Sequence, residues 1–527
     1  MTSSASTGDD TQPASPAGTG EALPRPGRGL LWRGLLAGVL ICLMTAGAVS
    51  ATVLLQVDEL LTIIRKEGRA AVEIPEVDRA AAGNAQTLMI LGSDRRFGDK
   101  EAGVPPRSDT MILVRLDPDK EVIAMMSVPR DLLVDIPGVG SQVKINEAYA
   151  TFGERGAVRT VKRLLSVGGR PFPIHHVVTV DFGGFRRAID YIGCVYADID
   201  RDYFNDQGGP GGYAVIDIDP GYQKLCGTDA LAYVRYRHED NDLVRAARQQ
   251  DFLRQVRNAK GTLELREGGL SLGNLKKMAR IFARYFDRDK TLDSSREVFK
   301  FAKTVLFTVD NPVREVRFRA VDTPDRINLV ASPSDLAKTV SEFMEAKASA
   351  TPREAAEPTE AELAVSKERK QRKKNKPSSI KGLEEARAEG EDQAIVAARK
   401  IDFPFYFPTL RSTAAAYQGQ EPRTYTIKDE KKGRHDAYRL VLVKGVIGEY
   451  YGIQGTTWRE PPILDDPHET IVRDGRKLMV YRDGKRVRLV ARRTRKAVYW
   501  VSNTLTQSLS AQQMIGIAGS LKRLGGG

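Results

Sequence analysis

Leu88-Met89-Ile90-Leu91, Met111-Ile112-Leu113-Val114 and Val122-Ile123-Ala124-Met125-Met126 are short apolar runs, each bounded by polar residues. Runs of this length and composition predict three strands. Asp117-Pro118-Asp119-Lys120 between the second and third predicts a tight turn. If the polar segment 92–110 also returns the chain antiparallel, the end of the first strand, the start of the second and the end of the third meet at one sheet edge. That edge then collects Gly92-Ser93-Asp94-Arg95-Arg96, Arg107-Ser108-Asp109-Thr110 and Ser127-Val128-Pro129-Arg130-Asp131. Guanidinium groups grip phosphate oxygens bidentately, and Mg²⁺ takes one or two carboxylates plus substrate oxygens, so the edge suits a phosphate and a divalent ion. Spacing alone leaves a surface salt-bridge network open as the alternative.

Downstream the theme repeats in Tyr233-Val234-Arg235-Tyr236-Arg237 and in Asp242 to Gln250, which reads as the start of a helix with Arg245 and Arg248 sharing a face. The ordered set GSDRR, RSDT, SVPRD, KINEAY, YVRYR and R-x-x-RQ, over roughly residues 85–345, resembles the LytR-CpsA-Psr family. The resemblance implies an α/β domain, a mixed sheet whose flanking helices enclose an apolar groove for a lipid tail. It also implies a membrane-anchored phosphotransferase that moves a glycopolymer from a polyprenyl-pyrophosphate carrier to a sugar hydroxyl of peptidoglycan, with pyrophosphatase activity on the side. By resemblance Asp94 and Asp109 hold Mg²⁺, and Arg96, Arg107, Arg130, Arg235, Arg237, Arg245 and Arg248 grip the pyrophosphate, assisted by Gln249 and Lys144. This sequence departs from the family in Cys194, where many relatives have a glycine, and in its C-terminal region. Both features are similar to actinobacterial members, whose cargo is arabinogalactan or a related polymer.

The 527 residues have room for two or three domains, and the net charge of +13 suits nucleic acid, an anionic membrane surface or an anionic polymer. Topology decides among them. Residues 34–55 carry no charge and are long enough to cross about 30 Å of hydrocarbon as a helix. Arg25, Arg28 and Arg33 precede this stretch while Asp58 and Glu59 follow it, which keeps residues 1–33, a disordered tail, in the cytoplasm and puts the rest outside. The reading is therefore a single-pass plasma-membrane protein with no nucleic-acid partner. Ala46-Gly47-Ala48 resembles a signal-peptidase site, but the apolar run continues through Leu55, which favours an uncleaved anchor.

Residues 56–84 read as a stalk, 85–345 as the catalytic domain, 346–398 as a charged linker and 399–527 as a smaller, β-rich α+β domain. In the last, Arg473-Asp474-Gly475-Arg476 and Arg482-Asp483-Gly484-Lys485 predict hairpin turns, and Ser510 caps a closing helix. Ser332 and Pro333 predict another helix start. Asn205 to Tyr213 is a Gly-rich surface loop or a cover over the site. No hydrolase triad, P-loop or zinc pattern accompanies the five histidines, and His175-His176 reads as structural. Cys42 lies in the apolar stretch, leaving Cys194 and Cys226 as an even pair expected to form a disulfide, with two buried free thiols as the alternative. From a different functional class, the alternative to the transferase is a polyprenyl-phosphate-binding or transcriptional-attenuator-type regulator.

Overall fold

The computed structural model describes residues 58–93, 108–207, 215–236, 242–259, 262–263, 272–325, 327–347, 380–419, 421–445 and 449–525, without the side chain of Asp109 and a few others. The N-terminal tail, the 34–55 stretch, residues 208–214 of the Gly-rich loop and residues 348–379 of the linker lie outside these. Among the described residues no helix is long and apolar enough to cross a membrane.

The three quoted runs become β1 (Gln86–Ser93), β2 (Ser108–Asp117) and β3 (Val122–Val128), an antiparallel meander. A small hairpin of β4 (Leu133–Ile136) and β5 (Gly140–Lys144) follows, then helix α2 (Glu147–Leu165). Next come β6 (His176–Val180), α3 (Phe182–Tyr191), β7 (Val195–Ile199), β8 (Tyr203–Asn205), β9 (Ile216–Ile218) and β10 (Gly221–Leu225). Helices α4 (Gly227–Arg235), α5 (Asp242–Val256) and α6 (Leu272–Tyr285) lead to β11 (Phe286–Arg288), then α7 (Ser295–Thr308), β12 (Val313–Val316) and α8 (Pro333–Met344). The main sheet runs β11-β6-β1-β2-β3-β12, with β1–β6 and β3–β12 parallel and the other pairs antiparallel. It is the mixed sheet expected.

Because side chains alternate along a strand, Met89, Leu91, Met111, Leu113 and Met126 all point to one face. There they pack with Val158, Val161 and Leu165 of α2 and Phe343 of α8 in one continuous core. Ile90 and Ile112 point to the other face, beneath α3, α4 and α5, so both faces are covered and the strands read as unbroken apolar runs. Ser332 caps α8 by accepting from the Asp335 amide, with Pro333 at its first position.

The stretch read as a stalk is built into this domain. Residues 58–67 form helix α1, the Val72 amide donates to the Arg288 carbonyl at 2.8 Å, Ile74 is in the core, and Asp78 accepts from Lys162 Nζ at 2.7 Å. Its alternation of charged and apolar residues is that of a packed surface segment, which periodicity alone cannot tell from a spacer.

The C-terminal unit starts earlier than composition indicated. Helix α9 (Arg387–Ala398) falls in the stretch assigned to the linker, yet Ala394 and Ala397 are fully buried in the same core as Phe405 and Phe407. A Cβ at Gly390 would sit 2.8 Å from the Phe407 ring, so the helix approaches as closely as its small residues permit. Small residues hold little apolar area, and this is why the segment resembled a linker. An eight-stranded antiparallel sheet follows, with the Asp474-Gly475 hairpin as predicted and α10 (Ala511–Gly519) closed by a Ser510–Gln513 capping box. The two units also share a core: Tyr196 and Tyr222 pack with Trp458, Leu489 and Trp500. Beside them Arg439 donates to Asp198 at 2.9 Å, both buried.

Cys194 and Cys226 are bonded, tying the start of β7 to the N-terminus of α4. At a sequence separation of 32, loop entropy predicts that reduction costs about 3–4 kcal/mol, measurable as the difference in unfolding free energy between oxidised protein and the Cys194→Ser, Cys226→Ser double variant.

Both adjacent histidines are structural. The Thr87 amide donates to His175 Nδ1 at 2.9 Å, and His176 bonds Gln86 Oε1 and Thr291 Oγ1 at 3.0 and 3.1 Å. Burial pushes the His175 imidazole down to about 4 from its ordinary value near 6.5. The folded protein thus holds it neutral, while the unfolded chain takes up a proton as pH falls below 6.5. Stability is therefore lost between pH 6.5 and about 4. Denaturant titrations at pH 7.5 and 5 should show a larger loss for the parent than for His175→Asn, whose amide oxygen accepts the same bond without titrating. Equal losses would remove His175 as the cause.

Candidate active site

Strand register assembles the site. Gly92 pairs with Thr110, Ser93 with Ser108 and Met111 with Val128, so the three motif-bearing ends do lie at one edge. Between the first two pairs the register shifts by one residue, making Asp109 the extra residue of a β-bulge, a device that redirects a strand end. Gly92 is required there: a Cβ would come within 2.9 Å of Thr110 Cβ.

Behind this edge lies an apolar cavity of about 300 Å³. Its floor is Ile90, Ile112 and Val180 of the sheet, and its walls are Phe185 and Ile189 of α3, Leu231 and Val234 of α4, and Phe252 and Val256 of α5. The polar residues reaching it are Thr110, Asp181, Arg235, Arg245 and Gln249. Arg245 is buried, and the guanidinium of Arg235 lies 3.8 Å over the Phe182 ring. Asp181 caps α3 through the Gly184 amide at 2.7 Å and pairs with Arg69 Nη2 at 2.6 Å. Asp181 and Arg69 carry no motif signal in the sequence; only the fold brings Asp181 to the cavity and Arg69 to Asp181.

Gln249 joins three of the motifs, its amide donating to Thr110 Oγ1 and to the Val234 carbonyl, each at 3.1 Å. Arg130 and Lys144 converge on one carboxylate that was quoted in the motif but given no role: Asp131 meets Arg130 Nε at 3.2 Å and Lys144 Nζ at 2.7 Å. That carboxylate fixes both cations beside the end of β3.

Arg248 takes a different direction from Arg245, with which its spacing predicted a shared face. Three residues along a helix is 60° short of a full turn, and Arg248 uses the difference to leave the cavity. It is fully buried, stacked 4.9 Å from the Tyr203 ring, and donates to the Tyr236 carbonyl at 3.1 Å. It positions the YVRYR segment. Asp94, Arg96, Arg107, Arg237 and the side chain of Asp109 lie outside the described residues.

An apolar pocket closed at one end by guanidinium groups and amides accommodates an amphiphile with an anionic head. Phosphoryl transfer asks the protein chiefly for such positioning and charge stabilisation. The two helix arginines should separate accordingly. Arg248→Met leaves the tyrosine cage and a carbonyl without their partner and lowers unfolding free energy by about 2 kcal/mol or more, whereas Arg245→Met, on the cavity wall, leaves the fold in place; a denaturation midpoint unchanged in Arg248→Met would contradict the assignment.

Sequence comparison places the chain among known proteins. Over 155 residues it is 37% identical to the polyisoprenyl-teichoic acid–peptidoglycan teichoic acid transferase TagV of Bacillus subtilis, covering 29% of this chain and 38% of that protein. Over 172 residues it is 32% identical to TagU, of the same description, from Bacillus cereus, covering 32% and 51%. The chain thus spans about two-fifths to one half of these relatives. Among solved structures, TagT bound to LIIa-WTA matches 53% of this chain and 98% of its own at 20% identity and a TM-score of 0.39. Bacillus subtilis TagV matches 50% and 98% at 24% identity and 0.39. The sequence profile described as the LytR_cpsA_psr family matches residues 55–322, just over half of the 527, and the chain belongs to that family.

Proposed function

We propose that the protein is a membrane-anchored phosphotransferase that moves a glycopolymer from a polyprenyl pyrophosphate to a sugar hydroxyl of peptidoglycan. The observation that carries this reading is the apolar cavity of about 300 Å³ whose polar end is formed by Arg235, Arg245 and Gln249. An isoprenoid chain fills the apolar part, and its pyrophosphate then lies at the edge where the three motif-bearing strand ends meet. The acceptor oxygen attacks the phosphorus that bears the glycan, the bond from that phosphorus to the bridging oxygen breaks, and polyprenyl phosphate leaves with the electron pair. The hydroxyl proton passes to a carboxylate or to water. Mg²⁺ held by Asp94 and Asp109 supplies charge neutralisation on the phosphates when bound. Arg130, fixed by Asp131, and Arg245 do the gripping, together with Arg96, Arg107, Arg235 and Arg237, while Lys144 supports Arg130 through the shared carboxylate. The catalytic part acts outside the plasma membrane in this reading, since donor lipid and enzyme then share one surface.

Full-length protein in detergent, given a polyprenyl-pyrophosphate-linked glycan and a peptidoglycan acceptor, should release polyprenyl phosphate and form a phosphodiester. Arg130→Ala, Arg130→Lys and Arg237→Ala should lower turnover by about 10²-fold, because lysine cannot reproduce a bidentate fork. Asp94→Asn should weaken the dependence on Mg²⁺ as well as the rate. Folded arginine variants that turn over at the parental rate would sink the reading.

A further inference from the structure

Helix α5 divides one face of the main sheet into two compartments of opposite character. On one side is the apolar cavity, over Ile90 and Ile112. On the other, Ala246, Ala247 and Gln250 of the same helix wall a cleft over the end of β3 and the residues that follow β12. Register makes the floor of one continuous with the floor of the other: Ile90 pairs with Ile112, and Ile112 with Ser127. Met126 pairs with Val316, so Ser127 and Arg317 follow side by side on the opposite face. Where this row passes beneath α5 it changes from isoleucine to serine and arginine. The outer wall comes from the C-terminal unit, Arg486 and Gln507.

The polar groups of this cleft are under-used by the protein. Ser127 is 4% exposed and its hydroxyl has no hydrogen-bond partner, and the same holds for the side-chain oxygen of Gln507. Buried polar atoms left in this state are rare, and a ligand that bonds them recovers the loss. The carboxylates of the cleft are engaged within the protein: Glu315 pairs with Arg254 at 2.9 Å, and Asp483 accepts from the Glu315 amide at 3.2 Å and from Gln507 Nε2 at 3.3 Å. Arg317 and Arg486 are both exposed and, among the described residues, neither forms an ion pair. The enclosed part, about 40 Å³, holds one small substituent and not a sugar ring, and the remainder is open.

We propose that this cleft is a saccharide subsite that takes the acetamido or carboxylate substituent of an acceptor amino-sugar chain, the open part receiving the ring. The assignment rests on the transferase reading. The acceptor is chosen over the glycan of the donor because Ser127 and Pro129 directly precede Arg130, while the donor's lipid is drawn to the far side of α5. The C-terminal unit then has a direct part in substrate binding, since the outer wall of the cleft is absent without it.

Two probes bound to the full chain in detergent test this: a muropeptide of alternating N-acetylglucosamine and N-acetylmuramic acid, and geranylgeranyl pyrophosphate. Arg486→Gln, at an exposed strand end, and Ser127→Ala, which removes a hydroxyl without a partner and so leaves stability equal or higher, should each weaken muropeptide binding by about tenfold or more. Geranylgeranyl pyrophosphate binding should not change. Muropeptide affinity equal in parent and variants, no muropeptide binding by the parent, or weakening confined to geranylgeranyl pyrophosphate would each overturn the subsite. If instead the muropeptide result holds and the parent fails to bind geranylgeranyl pyrophosphate, the subsite stands and the transferase reading falls.

Discussion

The register between β1, β2 and β3 is the constraint on which the rest depends. Strand side chains repeat every two residues, so a slip of one would exchange Met89, Leu91, Met111 and Leu113 for Ile90 and Ile112, turning the α2 core outward and the cavity floor inward. The large apolar load on the α2 side sets the pairing firmly. The single departure, the bulge at Asp109, comes where pairing ends and the motif residues begin. Sheet stability and site assembly are thus settled by one choice, and the bulge separates them in space.

Helix α5 supplies the second fixed point, through two adjacent polar residues. The last carbonyls of a helix have no partner within it. Gln249 takes the Val234 carbonyl and Arg248 that of Tyr236, at the C-terminal end of α4, where a positive charge is also favoured by the helix dipole. The end of α4 that carries Arg235 is thereby clamped to the helix that carries Arg245. In this arrangement Arg248 acts at one remove: it holds the backbone from which the rim is built and does not face the cavity itself.

Features set by neighbours in sequence were legible there. The apolar runs, the Ser332 and Ser510 caps and the Asp474-Gly475 turn express local propensity, and each stands where the residues indicated. The edge that gathers three motifs was also legible, because a meander with a tight turn leaves few topologies. What could not be read depends on partners distant in the chain. The direction of Arg248 is decided by Tyr203 and Tyr236, the cavity by four elements at once, and the Arg69–Asp181 pair by contact across 112 residues. Helix α9 was hidden for a different reason: alanines that fill a tight helix–sheet contact look, in composition, like a solvated linker.

The docking of the C-terminal unit follows from the same kind of distant partnership, and it bears on α5. Asp198 is buried with Arg439 and also accepts from Trp500 Nε1 at 3.3 Å, so separation of the units would leave a desolvated charge without its partners. On the face of α5 turned from the cavity, Arg254 is ion-paired with both Asp251 and Glu315. Burial holds the Glu315 carboxyl well above the usual range, while Arg254 opposes that shift and so favours the ionised form. The helix that carries Arg245 and Gln249 toward the lipid cavity is therefore gripped from behind by charges placed under the C-terminal hairpin of Asp483 and Arg486. A module that appeared, on composition, to be an appendage on a linker is in structural terms the second wall against which the site helix is set.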